Sequence, residues 1–144
     1  MSMVDISEKP DVFREATARG EIQLSRETLR LIKENRVEKG DVLSVAKVAG
    51  ILAAKKTSDV IPLCHPLALS TVAVKTEVLD SRVAVEATVK ALGKTGVEME
   101  ALTAVSVVLL TIWDMSKQYE KDAEGQYPTT VITNVTVLRK VKKY

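Results

Sequence analysis

Cysteine and histidine each occur once in these 144 residues, as do phenylalanine and tryptophan. A lone cysteine excludes an internal disulfide and a thiolate zinc cluster, and no HxxxH or CxxC spacing exists to hold a metal. No metal site is therefore expected, and sparse cysteine points to a cytoplasmic protein. Aromatic residues amount to only 3 %, too few to stack a run of bases on exposed rings. The net charge is +2, which argues against wholesale nucleic-acid binding. MSMVDISEKPD at the N-terminus has no apolar run, so a signal peptide is not expected. The longest uncharged stretch, Ala101 to Trp113, is too short to cross a bilayer. No internal repeat or low-complexity segment occurs.

What is present is an ordinary globular composition, 46 % hydrophobic and 28 % charged, with enough length for one domain over residues 1–144 and a real core. Residues 1–20 read as a partly extended arm, and EIQL (Glu21 to Leu24) as a short strand. Ser25 is placed as a helix N-cap, with Leu24 and Leu29 spaced for a hydrophobic staple. That helix is expected to end near Asn35, before the VEKG turn. Asp41 is a second N-cap, followed by Val42, Val45, Val48, Ala49 and Leu52 at amphipathic helical spacing as far as Lys56. Pro62 and Pro66 forbid regular structure in TSDVIPLCHPL. The period then changes to two: Val72 to Val78 and Val83 to Ala91 form a hairpin through LDSR. LGKTG is a loop, residues 98–121 a long helix, and TTVITNVTVL a last strand, with a basic tail over 139–144. This order predicts an α+β two-layer sandwich, an antiparallel sheet with its helices on one face. Between Ala101 and Trp113 the long helix is uncharged all round, more apolar surface than one small sheet covers, so an oligomer is expected.

Four stretches carry candidate chemistry. Cys64 and His65 sit between two prolines; adjacent side chains on an extended backbone point apart, which makes a poor nucleophile–base dyad. A packed cysteine beside a backbone-satisfied histidine is the plain alternative; a stiff loop fixing one imidazole for a ligand is the functional one. GKTGVEMEA leads a glycine-flanked lysine into a helix start, where unpaired N–H groups attract anions, but the phosphate-loop spacing is absent. Glu98 and Glu100 there are equally ordinary dipole partners. In WDMSK, Asp114 and Lys117 lie three apart on one helix face, either as an exposed ion pair or as a lysine poised for acid–base work. Glu100 and Asp114 differ by about 40° around the helix but by about 21 Å along it, so one compact site within one chain does not reach both. Among the scattered cations, Lys39 stands out in its turn beside Gly40.

KGDVLSVAKVAGILAAKKTSDVIPLCHPL, GKTGVEMEALTAVSV and LTIWDMSK, with MVDIS and FREA near the N-terminus, resemble the motifs of the molybdenum cofactor biosynthesis protein C (MoaC) family, the cyclic pyranopterin monophosphate synthases. The similarity runs from Met3 to Lys121. It implies a ferredoxin-like subunit assembled as a hexamer of three dimers with interfacial active sites. It also implies a lyase of molybdopterin biosynthesis. Such an enzyme converts (8S)-3',8-cyclo-7,8-dihydroguanosine 5'-triphosphate to cyclic pyranopterin monophosphate and releases pyrophosphate. Carried over by motif, Lys39, Asp114 and Lys117 match catalytic residues. Leu63, Cys64, His65, Met99 and Glu100 match substrate-binding segments, and Glu98, Arg14 and Lys55 match further pocket residues. No cofactor is implied beyond Mg²⁺ accompanying the triphosphate. The departure is C-terminal, where many relatives carry a glycine-rich, lysine-containing tail and this chain reads VLRKVKKY. Either Lys140, Lys142 or Lys143 replaces the missing charge, or the enzyme works without that flap. A non-catalytic nucleotide- or pterin-binding regulatory module on the same fold is the rival reading.

Overall fold

The computed structural model describes residues 1–144. Its elements run β1 (Val12–Gln23), α1 (Arg26–Lys33), α2 (Val42–Lys55), α3 (Thr57–Val60), β2 (Leu69–Val78), β3 (Arg82–Gly93), α4 (Glu98–Glu120) and β4 (Val131–Lys143). The four strands form one antiparallel sheet in the order β2-β3-β1-β4. α4 packs on β1 and β3, and α2 packs on α4. The result is the two-layer sandwich that the order of elements predicts, with the ferredoxin-like arrangement that the resemblance implies.

Two ends of the chain depart from expectation. Residues 12–20 are not an arm: they are most of β1, a central strand that also absorbs EIQL, so only residues 1–11 lie outside regular structure. Residues 139–143 are not a tail but the end of β4, paired with β1 from Thr17 to Phe13. The concealment has a physical cause in each case. The helix-facing residues of β1 are Ala16, Ala18, Gly20 and Ile22, mostly small and poor strand formers. They must be small, because a Cβ on Gly20 would lie 2.8 Å from Leu109 Cδ1 and 3.0 Å from Val105 Cγ1 of α4. β4 is an edge strand, and lysines on an edge discourage pairing with another chain, so it reads as a solvated tail. Its register with β1 shifts around Asn134, which adopts φ 59°; asparagine tolerates this left-handed conformation better than most residues.

The N-caps are as expected. Ser25 Oγ accepts from Thr28 N at 3.3 Å and Asp41 Oδ1 from Ser44 N at 3.1 Å. Leu24 and Leu29 are both buried. Thr57–Val60 adds one helical turn ahead of Pro62, inside the segment expected to be irregular.

The buried face of α2 is the opposite of the one its larger residues suggest. Val42, Ala46, Gly50 and Ala54 face inward, while Val45, Val48 and Leu52 are 46 %, 58 % and 51 % exposed. Close approach to α4 explains the inversion: a Cβ on Gly50 would collide with Val108 and lie 3.3 Å from the Ala104 carbonyl oxygen. α4 is long and apolar enough to span a bilayer, but here it is the core helix. It still leaves Leu110 57 % exposed.

Candidate functional site

α4 is one unbroken helix of 23 residues, and the residues singled out from the sequence gather at its two ends. α2 runs antiparallel to it: Lys39, just before α2, touches Asp114, whereas Cys64, just after α3, touches Glu100. The strands and helices therefore deliver two separate clusters rather than one.

At the C-terminal end, Asp114 is a carboxylate shared by two lysines. Lys117 Nζ lies 3.1 Å from Oδ1 and Lys39 Nζ 3.3 Å from Oδ2; Lys39 also donates to the Asp114 carbonyl at 3.1 Å. Hydrogen bonds from Lys117 and then Lys39 hold the Asp114 carboxyl below its ordinary range, so it stays ionised well into acid. The three side chains are about half exposed, open to a ligand and arranged for proton transfer. Beside them Leu110, Trp113, Tyr127 and Ile132 line a mostly apolar concavity with Asp114 and Lys117. Trp113 and Tyr127 meet edge-on at 5.1 Å. Nothing in the spacing of the sequence points to Tyr127, which reaches this place through the turn before β4.

Toward the N-terminal end lie the eight residues that the resemblance assigns to substrate binding, joined by separate contacts rather than in one cluster. Cys64 Sγ donates to Glu100 Oε2 at 3.7 Å. Burial, then the Glu100 charge, pushes the Cys64 thiol up, away from the thiolate that a nucleophile needs. His65 Nε2 lies 2.6 Å from the Val4 carbonyl oxygen. Because a carbonyl only accepts, Nε2 carries the proton, and Nδ1 is the nitrogen left for a ligand. The arm over residues 1–11 thus crosses this end, and Lys94 Nζ holds it a second time through the Ser7 carbonyl at 3.3 Å. Arg14 Nε donates to the Gly93 carbonyl at 3.4 Å. Leu63 and Met99 are exposed at 47 % and 40 %. Glu98 pairs with Lys140 of β4 at 3.2 Å. Lys55 closes α2, exposed and with no ion-pair partner.

Glu100 is 3 % exposed, and its Oε1 has no hydrogen-bond partner. Burial raises its carboxyl above the usual range. An acid whose pKa is higher folded than unfolded stabilises the fold fully at low pH and loses that contribution as pH rises through the raised value. Glu100→Gln removes the ionisation. The variant is therefore expected to melt no higher than the parent at pH 4 but above it at pH 8, read by thermal melts at both. Equal melting shifts at the two pH values would contradict it.

No group of three or more His, Cys, Asp or Glu residues is placed to hold a metal. The concavity on the helix-free face of the sheet contains none of the predicted residues. It is paved by charged side chains, among them the ion pair of Arg82 with Glu21.

The fold is thus an α+β ferredoxin-like sandwich with a lysine–carboxylate–lysine cluster and a buried acid at opposite ends of one core helix. The chain belongs to the MoaC family, whose model matches residues 3–142. A relative from Sulfurisphaera tokodaii is 58 % identical over 142 residues, covering 99 % of this chain and 94 % of its own length. One from Pyrococcus furiosus is 52 % identical over 143 residues, covering 99 % and 92 %. Both bear the name "Probable cyclic pyranopterin monophosphate synthase". A third, from Methanothermobacter thermautotrophicus, is 54 % identical over 140 residues, covering 97 % and 88 %, and its name adds "accessory protein".

Proposed function

We propose that this chain is a cyclic pyranopterin monophosphate synthase, a lyase of molybdenum cofactor biosynthesis. It acts on (8S)-3',8-cyclo-7,8-dihydroguanosine 5'-triphosphate. The observation that carries the reading is the Asp114 carboxylate bridging Lys39 and Lys117, in a chain whose relatives bear that enzyme name over nearly their whole length.

The reaction opens the purine imidazole ring, rebuilds a pyranopterin and closes a cyclic phosphate. In the last change a substrate hydroxyl forms a bond to the α-phosphorus, its proton leaves to a base, and the bond to the pyrophosphate oxygen breaks. Lys39 and Lys117 exchange the protons, and Asp114 orients them. His65 and Glu100 hold the guanine-derived end, in the segment that also contains Leu63, Cys64 and Met99. Pyrophosphate departure needs positive charge where negative charge develops, and Arg14, Lys55 and Lys140 supply it. Of the three C-terminal lysines, Lys140 is the one that reaches a site residue, Glu98. Lys142 and Lys143 lie over the Tyr144 and Phe13 rings. No resident cofactor is required, and a Mg²⁺ ion bound to the triphosphate belongs to the substrate.

The two half-sites become one when a second copy brings its Lys39–Asp114–Lys117 cluster to the Glu100 end of the first. The exposed Val45, Val48, Leu52 and Leu110 are apolar surface of the kind that subunit interfaces cover. This supports an oligomer, and the assembly we propose is a cytoplasmic hexamer built as three dimers.

Incubating the purified protein with the cyclic dihydroguanosine triphosphate, and following pyrophosphate and oxidised pterin together, tests the assignment. Both are expected in equal amounts. Tight binding with neither product would replace the synthase by a pterin- or nucleotide-binding regulatory module.

A further inference from the structure

Lys39 reaches Asp114 from a turn with little else to hold it. The turn joins α1 to α2, and its residues Glu38, Lys39 and Gly40 are all exposed. Gly40 adopts φ 120°, and a Cβ there would meet nothing within 4 Å. On the inner side Val37 is buried at 6 % exposure and anchors the start of the turn. Beyond Val37, the side chains that fasten the turn to α4 belong to two residues the reaction does not use. Tyr119 Oη accepts from the Glu38 backbone N–H at 2.9 Å, and Gln118 Nε2 donates to Glu38 Oε2 at 3.0 Å.

We infer that Tyr119 is a positioning residue for Lys39, with Gln118 as its weaker assistant: together they clamp the Lys39 turn onto the helix that carries Asp114 and Lys117. The inference rests on the proposed role of Lys39 in turnover, and its geometry is independent of that role. The two contacts differ in strength for a physical reason. Tyr119 is half-buried with its ring packed against the core, so its hydroxyl is held in place. Gln118 is exposed and pairs with an exposed carboxylate, where such bonds contribute little. A hydrogen bond to a main-chain N–H fixes the backbone of the turn itself, which no contact of the long, flexible Lys39 side chain does. Asp114 feels this directly. The charged groups facing it are Lys117 on its own helix and Lys39 on the turn, so a loosened turn withdraws one of two cations.

Tyr119→Phe deletes the hydroxyl and keeps the ring. In the substrate-free protein, with aspartate carboxyl carbons labelled, Asp114 is expected to titrate closer to the ordinary carboxylate range than in the parent. With substrate, kcat is expected to fall roughly 10- to 100-fold, since small misplacements of reacting groups have effects of that order. KM is expected to stay within about twofold, because the bond lost is not one to substrate. Gln118→Leu is expected to change kcat less than about twofold. An Asp114 titration unchanged in Tyr119→Phe would overturn the clamp. A shifted titration with unchanged kcat would overturn its positioning role. A parent without turnover would refute the synthase reading instead, while the substrate-free titration still decides the clamp.

Discussion

Lys117→Ala is expected to lower turnover by roughly 10²–10⁴-fold, the usual contribution of a positioned acid or base, and Asp114→Ala to do the same. Neither is expected to unfold the protein. The side chains of Asp114 and Lys117 are 60 % and 43 % exposed, and exposed pairs contribute little to stability. Asp114→Ala acts on both lysines at once, because Oδ1 and Oδ2 each hold one. Lys117→Arg is the informative companion: it keeps the charge but not a group able to release a proton near neutrality, so it is expected to remain nearly inactive. Rate measurements beside thermal melts decide the matter. Normal turnover in either alanine variant would remove that residue from the mechanism.

Glu120→Ala is expected to have the largest effect on stability. This carboxylate ends α4 at 6 % exposure and sits on the N-terminus of α1. It accepts from Ser25 N at 3.2 Å, Ser25 Oγ at 2.8 Å, Thr130 Oγ1 at 2.7 Å and also Thr28 Oγ1. One side chain thus ties α4 to α1 and to the segment entering β4. It also supplies negative charge to a helix start with unpaired donors. Alanine leaves Ser25 N and three hydroxyls facing a void. A loss of roughly 2–5 kcal/mol follows, lowering the melting temperature by on the order of 10 °C. Glu120→Gln keeps one acceptor oxygen but turns an amide donor toward donors, so an intermediate loss is expected. Melting of Glu120→Ala within a degree or two of the parent would show that water replaces the carboxylate without cost.

Much of this architecture is legible in the residues. Period-two alternation reveals the hairpin, and the caps at Ser25 and Asp41 reveal two helices. The long uncharged run reveals a core helix with apolar surface to spare. What stays hidden is governed by close packing. β1 is disguised because α4 demands Ala and Gly on its inner face. α2 turns its small residues inward and leaves Val45, Val48 and Leu52 outside for the same reason. Periodicity records where apolar residues recur, not how near the next helix comes.

The site is legible in a different way. Motif resemblance names Lys39, Asp114 and Lys117, and geometry joins them through one carboxylate that no sequence spacing predicts for Lys39. Spacing alone separates Glu100 from Asp114 by about 21 Å along an α-helix, and the unbroken run of α4 leaves them toward opposite ends. Contacts from distant chain segments were the least visible. The Val4 carbonyl on His65, Lys140 on Glu98 and the Tyr119 hydroxyl on the Lys39 turn all join residues more than forty apart in sequence.

Subunit mixing tests the divided site most directly. A Lys117→Ala protein and a His65→Ala, Glu98→Ala protein are each expected to be inactive, since each spoils one half of every site. Co-expressed and purified as mixed oligomers through two different tags, they place an intact half of one chain opposite an intact half of the other. Each mixed dimer keeps one of its two sites whole. Activity is then expected to return to about one quarter of the parent's for random pairing within a hexamer, and to about one half for purely mixed dimers. Mixed oligomers as inactive as both parents would mean that each site is built within a single chain.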